Sequence, residues 1–461
     1  MSEQATFSVR GRRVTVVGAA RSGVAAAELL VRRGAVVTLT DVREQIDEAD
    51  QLRAAGVVLE LGGHQPATFV DADLIVLSPG VPPRQPLIES ARRAGIPVIG
   101  ELELASRWVR GRIVAITGTK GKSTTTTLTG RMLEAGGHRV LVGGNIGLAL
   151  SAQVDQSTED TIHVVEASSF QLESVELFRP WIAVLLNFSP DHLDRHATIE
   201  EYADAKARIF VNQAASDWAV LNADDPGTLA LAAQGRARRM VFSLTGEPGE
   251  GVVLAGDRIV RRSASGDEPL VPLASVKLLG RHLVADVLAA AAVSSIVGVD
   301  SESMTRAVAG FTGLEHALEP VAEIAGVRFV NDSKATNIEA ARRAIESFDE
   351  GVVVILGGRF KGGDFRDLIE PLTARHATVV ALGEALPKIL EALGSSSVVR
   401  EAADMGAAVR TAFAMAAPGE TVVLAPACAS FDMFRDYAER GRVFKQEVLR
   451  LAEEWKGTRE Q

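Results

Sequence analysis

Cysteine is almost absent from the 461-residue chain. Cys428 is the only one, which excludes a disulfide framework and a thiolate metal cluster and fits a reducing, cytoplasmic setting. Positive charge is not in excess. With 49 Lys and Arg against 59 Asp and Glu, the net charge of −10 argues against non-specific nucleic-acid binding, though a local basic pocket is still allowed. No uninterrupted apolar run reaches transmembrane length, so no membrane insertion is expected. Leu283–Val297 is the most apolar stretch, but it is short, Asp286 interrupts it, and it reads as a buried helix. The first residues, MSEQATFSVRGRR, lack the apolar core of a signal peptide, so none is expected. No fixed-period repeat marks a solenoid. What is present is a globular composition, 47% hydrophobic and 23% charged, on a chain too long for one core.

The most informative stretch runs from Ile113 to Thr125. A short apolar, β-branched run reads as a buried strand and turns through Gly118 and Gly121 into Lys122, Ser123 and Thr124. A helix is expected next, with Leu128, Met132 and Leu133 on its inner face and Gly136-Gly137 at its end. This is the build of a phosphate-binding loop. Glycines let backbone N–H groups crowd around a polyphosphate, and the helix N-terminus adds partial positive charge. Lys122 would reach the β and γ phosphates and the Ser123 hydroxyl would hold Mg²⁺. A chance lysine in a glycine turn explains neither the strand before it nor the hydroxyl and helix after it.

The remaining chain alternates strand and helix, which predicts an α/β fold in three domains. Residues 1–110 are expected to be Rossmann-like. There Val14–Gly18, the turn to Gly23, an apolar helix and Val36–Thr40 ending at Asp41 make a βαβ unit. Its fingerprint is degenerate, because Ala20 stands where a middle glycine would let a pyrophosphate approach. The unit signals a nucleotide at this strand end and only weakly NAD. Residues 111–312 are expected to be a P-loop ATPase-type α/β domain, in which Ile162–Glu166 places a strand-end carboxylate beside the phosphate loop, where a metal ligand belongs. His192, between Asp191 and Asp194, is not assignable from spacing alone. Asp257–Val271 reads as a hairpin or loop. Residues 313–461 are expected to be a second Rossmann-like domain, whose acidic, amphipathic tail after Arg442 reads as a solvated helix.

Seven loops then spell a family. Gly118–Thr124, Gly143–Gly147, Glu166–Gln171, Asn187–Asp194 with its Asp-His-Leu-Asp, Tyr202-x-x-x-Lys206, Asn331–Asn337 and Ala427–Asp432 resemble, in order and over almost the whole chain, the ATP-dependent Mur ligases. Asp332-Ser-Lys-Ala-Thr336 and Ala427-Cys-Ala-Ser430 resemble the D-glutamate-adding branch of that family. The resemblance implies a monomer with ATP and Mg²⁺ as cofactors, and with UDP-N-acetylmuramoyl-L-alanine and D-glutamate as substrates. It implies an acyl-phosphate route, in which ATP phosphorylates the carboxylate and the amine of D-glutamate displaces phosphate. Lys122, Glu166, His192 and Lys206 are then the catalytic set. Ser123, Glu166, His192 and a carbamylated Lys206 are the implied metal ligands. Gly118, Thr119, Lys120, Gly121, Lys122, Ser123, Thr124, Asp332 and Lys334 are implied for the nucleotide. The UDP-substrate is implied to meet Arg21, Ser22, Asp41, Arg43, Ser78, Pro79, Gly80, Asn145 and Ser168. D-Glutamate is implied to meet Thr336, Lys361, Ser430 and Tyr437.

The chain departs from the family pattern in places. Leu283 and Asp286 replace two asparagines, Ala317 replaces an arginine after His316, Lys120 replaces an asparagine, and Tyr437 stands where phenylalanine is expected. The first three predict weakened ATP affinity with the chemistry retained. The alternatives are a related ligase for another amino acid or a folate tail, a nicotinamide oxidoreductase, and a ligand-binding relic.

Overall fold

The structure is a computed structural model, and it describes residues 7–191, 195–246, 249–277 and 281–459. The residues form two compact bodies, Met1–Val276 with Val284–Gly310 and Lys277–Leu283 with Phe311–Gln461.

The first body holds two sheets. One is five-stranded and all parallel, in the order Val58–Leu61, Val36–Asp41, Arg13–Val17, Leu74–Leu77, Val98–Gly100. Chain order reverses between Arg13–Val17 and Leu74–Leu77. That reversal is the switch point at which an open parallel sheet leaves a crevice for ligand. The other sheet has nine strands. Its parallel part runs Gly251–Ala255, Arg238–Ser243, Trp218–Asn222, Ile182–Leu185, Arg112–Thr117, Thr161–Glu166, Arg139–Gly144. Near-continuous apolar sequence makes these inner strands, because helices cover both faces. Ile113–Ile116 and Ile182–Leu185 are buried throughout. The stretch read as a hairpin or loop is an antiparallel pair, Arg258–Ser263 with Gly266–Pro272, and Gly251–Ala255 joins it to the sheet.

The second body has one six-stranded sheet, in the order Glu319–Ile324, Val327–Asn331, Thr421–Leu424, Val352–Gly357, Thr378–Leu382, Val399–Glu401. Glu319–Ile324 is its antiparallel edge. The C-terminal helix differs from expectation. It spans Tyr437–Arg459, starting earlier than the sequence suggested, and it is not simply solvated. Phe444 and Val448 are fully buried against Phe329, Ile355 and Val422. Each such side chain contributes roughly 1.5–3 kcal/mol on burial. Among the described residues, no helix is long and apolar enough to cross a membrane.

Candidate active site

The phosphate loop leaves the sheet at Thr117, and its helix, Lys122–Ala135, begins directly at Lys122. Leu128, Met132 and Leu133 are fully buried on the inner face, as the spacing predicts. Two glycines shape the turn. Gly118 has φ +157° and Gly121 has φ +82°, the latter a left-handed conformation that favours glycine. Space is equally short: a Cβ on Gly118 would lie 2.9 Å from Leu186 Cβ, and one on Gly121 would lie 2.2 Å from Asp286 Oδ1.

The loop is held from the neighbouring strand end. The Thr119 amide donates to Asn187 O (3.1 Å), the Lys120 amide to Asn187 Oδ1 (2.8 Å), and Asn187 Nδ2 donates back to Lys120 O (3.0 Å). Lys120 Nζ pairs with Asp191 at 3.4 Å. Lys122 Nζ donates to Gly118 O and Thr119 O, both at 3.0 Å, and Lys206 Nζ donates to Gly118 O at 2.8 Å. Lys206 is 1% exposed. Its burial, and then the neighbouring Lys122 charge, hold its amine well below the usual lysine range. A neutral buried amine is the form that can react with CO₂, so the site suits carbamylation.

Glu166 ends the strand beside the phosphate loop, in register with Ile116. It is 1% exposed; Oε1 accepts from Asn145 Nδ2 at 2.7 Å, and Oε2 has no hydrogen-bond partner. A buried carboxylate oxygen without a donor is costly unless a cation or donor completes it. That oxygen, the Ser123 hydroxyl in the first turn of the helix that follows the loop, and a cradle too tight for a Cβ fit a Mg²⁺-polyphosphate. His192 and Asp194 lie outside the described residues. Among the described residues, no cluster of three His, Cys, Asp or Glu side chains forms by itself. Ser168 caps the short helix Ser169–Leu172 in a capping box with Gln171.

In the five-stranded sheet, the Gly18 and Ser78 turns flank the switch point. A Cβ on Gly18 would lie 3.0 Å from Ser78 Cβ and 2.6 Å from Val81 Cγ2. Asp41 is 7% exposed; it accepts from the Ala19 amide (2.6 Å) and is bridged by Arg43 through Nε and Nη2, both at 3.0 Å. Burial alone would raise its carboxyl, but the hydrogen bonds from Arg43 and Ala19 outweigh that and hold it at about 2. Arg21, in the first turn, donates to Gly147 O at 3.1 Å, which ties this turn to the Asn145 loop. Pro79 and Gly80 follow Ser78 in the turn.

In the second body, three adjacent strand ends carry the expected loops. Lys361 Nζ donates to Thr336 Oγ1 at 3.4 Å. Ser430 is 1% exposed and Tyr437 is 41% exposed. Burial pushes the Asp332 carboxyl up to about 7, against a hydrogen bond from the Leu318 amide and the Lys334 charge. Arg440 lies beneath these loops. It is 2% exposed and donates to Ser333 Oγ (2.9 Å), Ser333 O (2.8 Å) and Cys428 O (3.0 Å), which fixes two of the loops together.

Known proteins match most of the chain. Residues 116–294 match the Mur ligase middle domain, 12–100 the Mur ligase MurD-like N-terminal domain, and 318–428 the Mur ligase glutamate ligase domain. The UDP-N-acetylmuramoylalanine--D-glutamate ligase of Koribacter versatilis is 46% identical over 453 residues, covering 98% of this chain and all of that one. The chain belongs to the Mur ligase family. The three-domain α/β fold of Mur ligases also appears among solved structures. The UDP-N-acetylmuramate-alanine ligase of Thermotoga maritima has a TM-score of 0.59 at 19% identity, covering 95% of this chain and 99% of that one. A pseudomurein peptide ligase type C of Methanothermus fervidus has a TM-score of 0.58 at 17% identity, covering 96% and 100%.

Sequence reasoning missed Arg440 and Arg195 in this Mur ligase. Both stand in polar segments, Arg440 between Arg435 and Arg442, with nothing in their spacing to set them apart from solvated arginines. Arg440 matters through its burial and three acceptors, and Arg195, only 13% exposed, through acceptors on Gly80, Val81 and Glu173, all of which only the fold supplies.

Proposed function

We propose that this Mur ligase joins D-glutamate to UDP-N-acetylmuramoyl-L-alanine in peptidoglycan precursor synthesis, working in the cytoplasm as a monomer. The observation that carries the reading is full-length similarity to ligases named for that reaction, with 46% of residues identical in the relative from Koribacter versatilis. The domains divide at about residues 110 and 312, serving the UDP-substrate, ATP and D-glutamate in turn.

ATP with Mg²⁺ would supply activation of the substrate carboxylate as an acyl phosphate, which the amine of D-glutamate then displaces. The chain's own residues do the positioning. Gly118–Thr124 cradle the phosphates with backbone N–H groups, and Lys122 leaves the loop carbonyls to neutralise the charge that develops on them. Ser123 and Glu166 would hold one metal ion, and His192 with a carbamylated Lys206 would hold a second. Carbamylation turns a buried amine into an anion, which removes the clash of Lys206 with Lys122 and with metal. Asp332 and Lys334 reach the nucleotide. Arg21, Ser22, Asp41, Arg43, Ser78, Pro79 and Gly80 hold the UDP end at the switch-point crevice; Asn145 and Ser168 meet the muramoyl-alanine end. Thr336, Lys361, Ser430 and Tyr437 receive D-glutamate, whose two carboxylates suit a lysine and hydroxyls.

Phosphate release with UDP-N-acetylmuramoyl-L-alanine, ATP and Mg²⁺ tests the reading. Release should depend on D-glutamate and vanish in Lys122→Ala. No release at saturating ATP would contradict it.

A further inference from the structure

Arg195 is used by no step proposed above, yet it is among the most engaged cations of the first body. Its side chain is 13% exposed. Nη2 donates to Val81 O at 3.0 Å and to Glu173 Oε2 at 3.2 Å, and Nη1 reaches Gly80 O at 3.5 Å. The guanidinium lies 4.9 Å from the Phe170 ring centre. Gly80 and Val81 belong to the turn after Leu74–Leu77; Phe170 and Glu173 belong to the segment after Glu166. One fork of donors therefore joins the turn at the switch-point crevice to the segment beside the phosphate loop.

The contacts continue inward. Glu173 Oε1 meets His196 Nδ1 at 3.3 Å, and His196 Nε2 lies 3.1 Å from Ser169 Oγ. The His196 ring packs on Tyr202 with centres 5.2 Å apart. The Tyr202 hydroxyl is 3.2 Å from Thr119 Oγ1, inside the phosphate loop, and Lys206 Nζ lies 4.7 Å from the Tyr202 ring centre. His196, Tyr202 and Thr119 are each under 5% exposed. A chain of hydrogen-bonded or stacked groups, buried from His196 inward, thus runs from Gly80 to the loop.

We infer that Arg195 is a positioning residue that couples ligand occupancy of the Ser78–Gly80 turn to nucleotide occupancy of the phosphate loop. This rests on the reading that the UDP-substrate takes the turn and ATP the loop. A ligand that orders the turn fixes Gly80 O and Val81 O, and so Arg195, Glu173 and His196; the Tyr202–Thr119 contact then meets a preset neighbour. Coupling of this kind is reciprocal: each ligand tightens the other by the same factor. Lysine cannot replace the guanidinium, because a point charge lacks the planar fork that reaches two carbonyls and a carboxylate together. A plain structural staple makes a different prediction, since its loss lowers stability or weakens both ligands alike and leaves their mutual effect unchanged.

The test is a pair of titrations by calorimetry. A non-hydrolysable ATP analogue with Mg²⁺ is titrated with and without saturating UDP-N-acetylmuramoyl-L-alanine, then the order is reversed. Wild-type protein should show tightening of at least about fivefold, equal in both directions. Arg195→Gln and Arg195→Lys should bind each ligand alone within about threefold of wild type, with coupling below about twofold. Glu173→Gln, which keeps Arg195 on the turn carbonyls, should lose part of the coupling and guards against a folding defect in the Arg195 variants. Wild-type protein that binds both ligands without coupling, or variants that retain full coupling, would overturn the inference alone. Wild-type protein that binds the nucleotide but not the UDP-substrate would overturn the functional reading and this inference with it.

Discussion

Replacing Gly121 by alanine tests the phosphate loop at its tightest point, and the structure separates two costs. The first is backbone strain: at φ +82°, an L-residue with a Cβ costs roughly 1–2 kcal/mol. The second is contact, since the new carbon would lie 2.2 Å from Asp286 Oδ1. Asp286 is 4% exposed and lies in the helix Arg281–Val297, so its carboxylate has little room to move aside. Relieving the contact should add about 1–3 kcal/mol, the usual range for an overpacked site. Gly137 provides the control, with a nearly identical φ of +83° and nothing within 4 Å of its added Cβ. Gly137→Ala should therefore show the strain alone. The assay is denaturant unfolding of both variants beside wild type, with the ATP Michaelis constant measured in parallel. Gly121→Ala should lose more stability than Gly137→Ala by the contact term and should raise the ATP constant at least tenfold. Combining Gly121→Ala with Asp286→Ala should recover the contact term and leave the strain. Equal losses in the two single variants, with unchanged ATP use, would refute the reasoning.

Glu166→Gln removes the charge behind the unpartnered Oε2 and should lower turnover about 10²–10³-fold with the fold intact by circular dichroism; retained turnover would remove Glu166 from the metal set. Asp286→Asn keeps the shape of a buried group whose carboxyl burial holds well above the ordinary range, and restores an amide beside the loop. It should lower the ATP Michaelis constant about fivefold, the equivalent of one hydrogen bond of ~1 kcal/mol, and an unchanged or higher constant would contradict this. Asp41 is held at about 2 against an ordinary 3.8, so the stability it contributes is complete above 3.8 and lost as pH falls from there to about 2. Asp41→Asn should therefore be less stable than wild type by about 1–2 kcal/mol at pH 5, with the gap closing toward pH 2 in urea unfolding.

The phosphate loop was legible because its signal is local. Strand, glycines, Lys-Ser and helix all fall within a short span, and each residue type has one physical use there. Glu166 was legible for a related reason, since parallel strands bring their carboxyl ends to one edge and a strand-end acid beside such a loop has few other places to point. Edge elements were harder. Val58–Leu61 and Val399–Glu401 are short and half-exposed, so they lack the continuous apolar run that marks an inner strand. The C-terminal helix looked solvated because its composition is dominated by charge, while two side chains, Phe444 and Val448, decide its packing. The reach from Ile199 through Val211 reads as one helix, but the α-helix ends at Ala207 and tightens to a 3₁₀ turn over Arg208–Phe210. Periodicity does not distinguish the two over so few residues. Arg195 and Arg440 were invisible because a buried arginine and a surface one look alike until their acceptors are brought in from distant sequence.

The most direct test of the account is the mass of the nucleotide product. Wild-type protein is incubated with UDP-N-acetylmuramoyl-L-alanine, ATP and Mg²⁺, and with D-glutamate, L-glutamate or no amino acid, and the products are weighed by mass spectrometry. The account predicts a gain of one glutamyl residue with D-glutamate alone, matched by one phosphate released for each amide formed. A product carrying another amino acid, or phosphate released without an amide, would contradict it.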